Sequence, residues 1–334
     1  MTCVKNAPCC EVERGEVMKK TWYLIIGVVL LVIGCIAYGY YEHHKPKTAQ
    51  ELKTVRVAYL PITHALPVFA TKELETADGP VHVELVKYGS WPELMDALNT
   101  GKVDAAAVLV ELGVKAREQG IDVRAAALGH TEGNIIIVNK DINSVQDLKG
   151  KSFAIPHKQS TQKILVDCML EEAGLSEKDV QIVEMSPPEM PSALSVGQIA
   201  GYSVAEPFGS LALEMGTGKV FEDPDHLWHD NICCALVFNG QFVDEHHDLA
   251  KAFTKAYLDA GTYLDEHPKA QEEISSKYMK FNDSVIERSL KVIGFKDLAL
   301  TEDRYNALVH HMTHIDLIKK VPTYSEFVDT SLLP

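Results

Sequence analysis

The sequence predicts an α/β protein of two similar lobes, each a parallel sheet wound by helices, facing one another across a hinge. Two observations carry this. First, β-rich runs alternate with helical ones from Val55 onward, the pattern of a parallel sheet with right-handed crossovers. Second, residues 92–103 (PELMDALNTGKV) align without a gap on residues 188–199 (PEMPSALSVGQI), sharing P-E-x-x-x-A-L-x-x-G-x-[VI]. The same register, 96 residues from Gly101 to Gly197, also superposes Val57-Ala58 on Phe153-Ala154.

The elements follow in order. Residues 55–60 (VRVAYL) alternate as a strand and stop at Pro61. Helix signals come next, then a second strand at 81–86, a helix at 93–99 and a third strand at 103–110. Each half reads strand, helix, strand, Pro-Glu helix, Gly turn, strand, the glycine supplying the positive φ that closes a helix before the next strand. The connection at 129–138 ends in Ile135-Ile136-Ile137-Val138, and the chain returns through 231–238, so two strands crossing between lobes are expected to form the hinge. From Asp248 the spacing is helical, and these helices are expected to pack on the first lobe. The expected boundaries are 54–134 with 235–334 for lobe 1, and 135–234 for lobe 2 with the crossover strands.

The N-terminal end differs in character. Residues 22–41 run for 20 residues without a charge, which at helical rise spans about 30 Å, the thickness of a bilayer's hydrocarbon. Lys19 and Lys20 precede the segment, which predicts a cytoplasmic N-terminus and an exported body. Within it, Val32-Ile33-Gly34-Cys35 resembles a bacterial lipobox, making Cys35 a lipidation candidate, while the apolar run from Ile36 to Tyr41 fits a retained transmembrane helix. Both readings give an anchored extracytoplasmic protein. Residues 18–41 are thus the signal or anchor, 42–53 a polar linker, and 1–17 an extension to which no function is assigned. With 47 acidic against 32 basic residues and a net charge of −15, the chain has no electrostatic footprint for nucleic acid.

In open parallel sheets, ligands sit beyond the carboxyl ends of the strands, where helix N-termini offer unpaired N–H groups. On lobe 1 those positions hold Thr63 and His64, then Ser90 and Trp91, then Val110 and Glu111. On lobe 2 they hold His157, Lys158, Ser160 and Thr161, then Ser186 and Pro187, then Glu206. The hydroxyls cap helices or hold a ligand oxygen. Trp91, following a Gly-Ser turn, offers a flat apolar wall or packs into its lobe. Glu206, before Pro207, faces the cleft or pairs with Lys158. His64, His130 and His157 are donors for an anion. Cys168 reads as core, and Cys233 and Cys234, adjacent in a strand pattern, would point to opposite faces and so pack rather than bind metal. His310, His311 and His314 read as an exposed helix face. No H-E-x-x-H, G-x-S-x-G or P-loop occurs, and no nucleophile is placed with a base. No enzyme activity, metal or cofactor is expected.

These residues resemble the solute-binding proteins of ABC importers in the nitrate, sulfonate, bicarbonate and taurine group. The resemblance rests on 91–93 through 101–106, on Ile155-Pro156 with Ser160, on 187–194 and on Val204-Ala205-Glu206-Pro207-Phe208. It implies a type II periplasmic-binding-protein fold that closes on a small anionic solute and delivers it to a permease driven by ATPase subunits, acting as a monomer. It implies ligand contacts at Thr63, Ser90, Trp91, Ser160, Thr161 and Glu206, with His64 and His157 beside them. The loop 157–161 departs from the small Gly-Ser-Ser type of the group, and its Lys158 and histidines suit an anion or a zwitterion. Alternatives are a thiamine-type pyrimidine precursor stacked on Trp91, or an enzyme or sensor on the same fold.

Overall fold

The computed structural model describes residues 22–23, 25–36, 38 and 53–334. The chain divides into two units, 1–52 and 53–334. In the first, the described residues are helical and their apolar side chains exposed, as is Cys35. Among the described residues no helix is long and apolar enough to cross a membrane. The extension 1–17 and nearly all of the linker lie outside the described residues.

The second unit holds two five-stranded sheets of the same layout. The first is built from β1 (Thr54–Tyr59), β2 (His82–Lys87), β3 (Ala105–Leu109) and β4 (Val123–Leu128), and it is completed by a strand from much later in the chain. After a two-residue β5 (Thr131–Glu132), the second sheet takes β6 (Asn134–Asn139), β7 (Ser152–Ile155), β8 (Gln181–Glu184), β9 (Gly201–Ala205) and β10 (Gly218–Glu222). β11 (Cys234–Asn239) returns to the first sheet, and β12 (Ile293–Gly294) pairs with β5. The orders β2-β1-β3-β11-β4 and β8-β7-β9-β6-β10 superpose strand for strand. The internal repeat therefore marks a true structural duplication, and Gly101 and Gly197 both carry φ +71° at the turn it predicts.

The expectation of all-parallel sheets needs correcting in one strand of each. β11 runs antiparallel to β3 and β4, and β6 runs antiparallel to β9 and β10. The reason is where the chain crosses. It leaves lobe 1 beyond the carboxyl end of β4 and enters lobe 2 at the edge where β7 and β9 end, so β6 must run away from that edge. β11 repeats the geometry on the way back. The crossings are thus the connecting segments around 129–133 and 223–233, and the two strands read as crossovers each belong wholly to one sheet.

Strands covered by helices on both sides are apolar on both faces. β3 (AAAVL), β9 (GYSVA) and β11 (CALVFN) are buried at every position. The helix His247–Glu266 buries Ala250, Phe253, Tyr257, Ala260 and Leu264, a helical three-and-four spacing, and packs on the lobe 1 helix Leu66–Glu73. The helix Asp283–Leu290 packs instead on Phe208–Glu214 of lobe 2, so the C-terminal helices, expected on lobe 1, bridge both lobes.

Candidate functional site

Because β11 and β6 are reversed, their first residues lie at the same sheet edges as the last residues of the parallel strands. Cys234 pairs with Leu109, the end of β3, and Asn134 pairs with Ala205, the end of β9. Both edges meet at the seam between lobes. Lobe 1 brings Thr63, His64, Glu111, His130, Cys233 and Cys234; lobe 2 brings Asn134, Thr161, Gln162 and Glu206. All ten side chains are buried.

At the centre are His64, His130, Cys233 and Cys234, whose ligating atoms lie within 4.8 Å of one another. His64 Nε2 is 3.0 Å from the carbonyl oxygen of Gly133. A ring nitrogen facing a carbonyl carries the proton, which leaves Nδ1 with a lone pair, 3.5 Å from Cys234 Sγ. The rings of His64 and His130 are 3.6 Å apart between centroids, tilted by 36°. Neither nitrogen of His130 makes a hydrogen bond, although the residue is only 1% exposed. Burial and the adjacent His64 ring push the His130 pKa down to about 4, so the ring is neutral. Burial opposes ionisation of both thiols. For Cys233 that is outweighed by a hydrogen bond from the Cys234 thiol, which holds it below the usual range, while Cys234 is pushed up.

The sulfurs of Cys233 and Cys234 are 3.8 Å apart, which corrects the reading that they face opposite ways. Alternation applies inside a strand, and β11 begins only at Cys234; Cys233 lies in the irregular backbone before it, its carbonyl accepting from Val110 N–H. A polar wall surrounds the cluster. Gln162 Nε2 donates to Cys233 Sγ at 3.3 Å and to Asn134 Oδ1 at 2.7 Å, and Asn134 Nδ2 donates to Asn231 Oδ1 at 2.9 Å.

Glu111 is fully buried, and its pKa is raised well above the ordinary value by desolvation. Thr161 Oγ1 lies 2.5 Å from Glu111 Oε1 and 2.6 Å from Ile232 O. One hydroxyl has one proton, so it cannot donate to both acceptors. With the Thr161 proton on Ile232 O, a protonated Glu111 donates to Thr161 Oγ1 and the contact is satisfied.

Four of the candidate ligand residues thus converge at the seam: Thr63, His64, Thr161 and Glu206. Thr63 donates from both N and Oγ1 to the carbonyl of Glu206, at 3.1 and 2.9 Å. The Glu206 carboxylate accepts from Ser210 N and Oγ, each at 2.9 Å, so it caps its own helix and does not pair with Lys158. Lys158 is exposed, and its backbone N–H meets Glu184. Ser160 is an N-cap, accepting from Lys163 N at 3.1 Å. Ser90 sits at the N-cap position of Trp91–Asn99, half-buried and without a side-chain cap bond.

Trp91 is 3% exposed and lines a cavity of about 170 Å³ between the lobes with Met95, Leu112, Lys115, His157 and Gln159, a cavity that none of His64, His130, Cys233 and Cys234 lines. His157 belongs to that cavity too. The sequence puts Glu111 at a ligand-facing strand end and offers His130 as an anion donor, whereas Cys233 and Cys234 read as packing; their signal as ligands is only their position at or just before a seam-facing strand end.

The donor set, two imidazoles and two thiols, suits a soft metal ion. It suits an oxyanion less well. Among the buried described residues there is no arginine, and the one lysine, Lys163, is paired with Asp167 and Glu177.

Residues 48–278 match the NMT1-like family. The chain is 35% identical, with a TM-score of 0.80, to the ligand-binding component of an ABC-type import system from Staphylococcus aureus solved with zinc bound, covering 84% of this chain and 97% of that one. It is 25% identical over 239 residues to a nitrate import ATP-binding protein of Synechocystis, covering 65% of this chain and 36% of that protein. It is 29% identical over 212 residues to the taurine-binding periplasmic protein of Escherichia coli, covering 62% of this chain and 65% of that protein. The chain therefore spans about a third and about two thirds of the length of these two relatives.

Proposed function

We propose, for a chain that belongs to the NMT1-like family and whose relatives include the ligand-binding component of an ABC-type import system and a taurine-binding periplasmic protein, the role of an extracytoplasmic solute-binding protein. It captures a small solute by closing its two lobes and hands it to a permease. The observation that carries this reading is the seam itself. Buried polar groups from both lobes meet there, and several of them, both nitrogens of His130 and Oε2 of Glu111, have no hydrogen-bond partner. Unpaired buried polar atoms are costly in a resting protein and are accounted for by a guest. Segment 18–41 tethers the protein to the outer face of the membrane, as a retained helix or through Cys35.

An anionic solute, of the kind named for the nitrate and taurine relatives, is a second reading. It is supported by the N-terminus of the helix Thr161–Glu172, which opens on the seam and favours negative charge.

The test is a thermal-shift panel on the full chain with nitrate, taurine, an alkanesulfonate and zinc, paired with ATPase stimulation of any ABC permease that the neighbouring genes encode. A solute at 100 times its Kd should add about 2.7 kcal/mol of apparent stability. No shift with any member, together with an unstimulated permease, would remove the importer reading. Labelling with a radioactive fatty acid, with Cys35→Ala as the control, separates the two modes of anchoring.

A further inference from the structure

We infer that His64, His130, Cys233 and Cys234 form a closed N2S2 site for a thiophilic divalent metal ion of the zinc type, and that this ion is the solute on which the lobes close. The inference rests on the solute-binding reading and names its cargo.

Two edges of the four-atom set match those of a tetrahedral site, and all four ligating atoms lie within 4.8 Å of one another. Two zinc–sulfur bonds of about 2.3 Å at the tetrahedral angle place the sulfurs about 3.8 Å apart, and a zinc–nitrogen bond of about 2.0–2.1 Å places nitrogen and sulfur about 3.5 Å apart. Cys233 Sγ and Cys234 Sγ are 3.8 Å apart, and Cys234 Sγ and His64 Nδ1 are 3.5 Å apart. Both pairs can therefore take a shared ion between them without moving their ligating atoms.

Orientation agrees. Metal-binding histidines characteristically donate their second ring N–H to a carbonyl or carboxylate, which fixes the tautomer. The His64 Nε2 contact with Gly133 O does this. His130, buried and with neither nitrogen hydrogen-bonded, supplies the lone pair that the fourth position needs. The charge balance agrees as well. Two thiols that release their protons on binding neutralise a divalent ion, and no buried cation stands nearby to oppose it.

The experiment uses the reduced full chain, stripped with a chelator and then loaded with zinc or cobalt alone. The expected result is one zinc per chain by elemental analysis, and for cobalt a thiolate-to-metal charge-transfer band with the intense d–d bands of a tetrahedral site. Cys234→Ser and His130→Gln should each weaken zinc at least about 100-fold in a chelator competition, and the first should diminish the charge-transfer band. Circular dichroism checks both folds. Should Cys234→Ser unfold, His130→Gln carries the test, since that ring has no hydrogen bond to lose.

A wild-type chain that takes up no zinc but is stabilised by nitrate or taurine overturns the metal site and leaves the solute-binding function standing. Zinc held equally well by both variants also overturns it. Zinc bound through these residues, with the zinc-loaded chain failing to stimulate the permease, overturns the metal as cargo, while the site and the importer reading both stand.

Discussion

Thr63 Oγ1 lies 2.9 Å from the carbonyl oxygen of Glu206, and the same oxygen accepts the Thr63 backbone N–H at 3.1 Å. The residues are 143 apart in sequence and lie on opposite lobes. The pair is a hydrogen-bonded latch across the seam. Thr63→Val keeps the shape and the backbone bond but removes one donor, at a cost of about 1 kcal/mol to the closed form. The solute's affinity should fall about fivefold by calorimetry, with the melting temperature of the solute-free protein little changed. Unaltered affinity would mean that the latch does not contribute to closure.

Glu111 offers a test of proton counting. Since Thr161 has one hydroxyl proton for two acceptors, Glu111 is a neutral acid, in keeping with its raised pKa. A glutamine amide can donate to Thr161 as the protonated acid does. Glu111→Gln should therefore change stability by no more than about 1 kcal/mol and abolish a protonated-carboxyl band in the infrared spectrum at neutral pH. Destabilisation of about 3 kcal/mol or more would show instead that the charge is needed.

Trp91 separates packing from ligand contact. It is buried, its indole nitrogen has no hydrogen-bond partner, and it lines the cavity between the lobes. Trp91→Ala should cost about 3–5 kcal/mol of stability by the cavity it leaves. Trp91→Phe, which forfeits no hydrogen bond, should cost less than about 1.5 kcal/mol and leave solute affinity unchanged. A Phe variant that folds normally but no longer binds would return this residue to the ligand site.

Glu118 ties the C-terminal segment to lobe 1, accepting from the backbone N–H of Lys319 at 2.7 Å and of Lys320 at 2.9 Å while paired with Lys115. These partners lower its pKa to about 2 from an ordinary 4.5. A carboxylate with a depressed folded-state pKa contributes stability above its unfolded pKa and loses it as the pH falls through the folded one. Its contribution should therefore be complete at neutral pH and fall away between about pH 4.5 and pH 2. Glu118→Gln should cost about 1–2 kcal/mol at pH 7 and far less at pH 2, by calorimetric melting. An equal deficit at both values would deny the carboxylate this role.

How far the site was legible follows from how local each signal is. Thr63, His64, Thr161 and Glu206 could be placed at the facing edges of the lobes because the strand before each is visible in the sequence, and its carboxyl end must open on a loop. The role of Thr161 was not visible, since its partners Glu111 and Ile232 are 50 and 71 residues away. Cys233 was misjudged because alternation assumes a strand, and the strand starts one residue later.

By itself the sequence determined the duplicated lobes, the succession of strands and helices along each and the edge that faces the seam, because hydrophobic period, proline stops and glycine turns act over a few residues. It could not determine that two imidazoles and two thiols meet at one point. His64 and Cys234 are 170 residues apart, and what brings them together is the reversed insertion of β11 beside β3. That pairing is settled by packing between distant segments, so only the tertiary structure decides it.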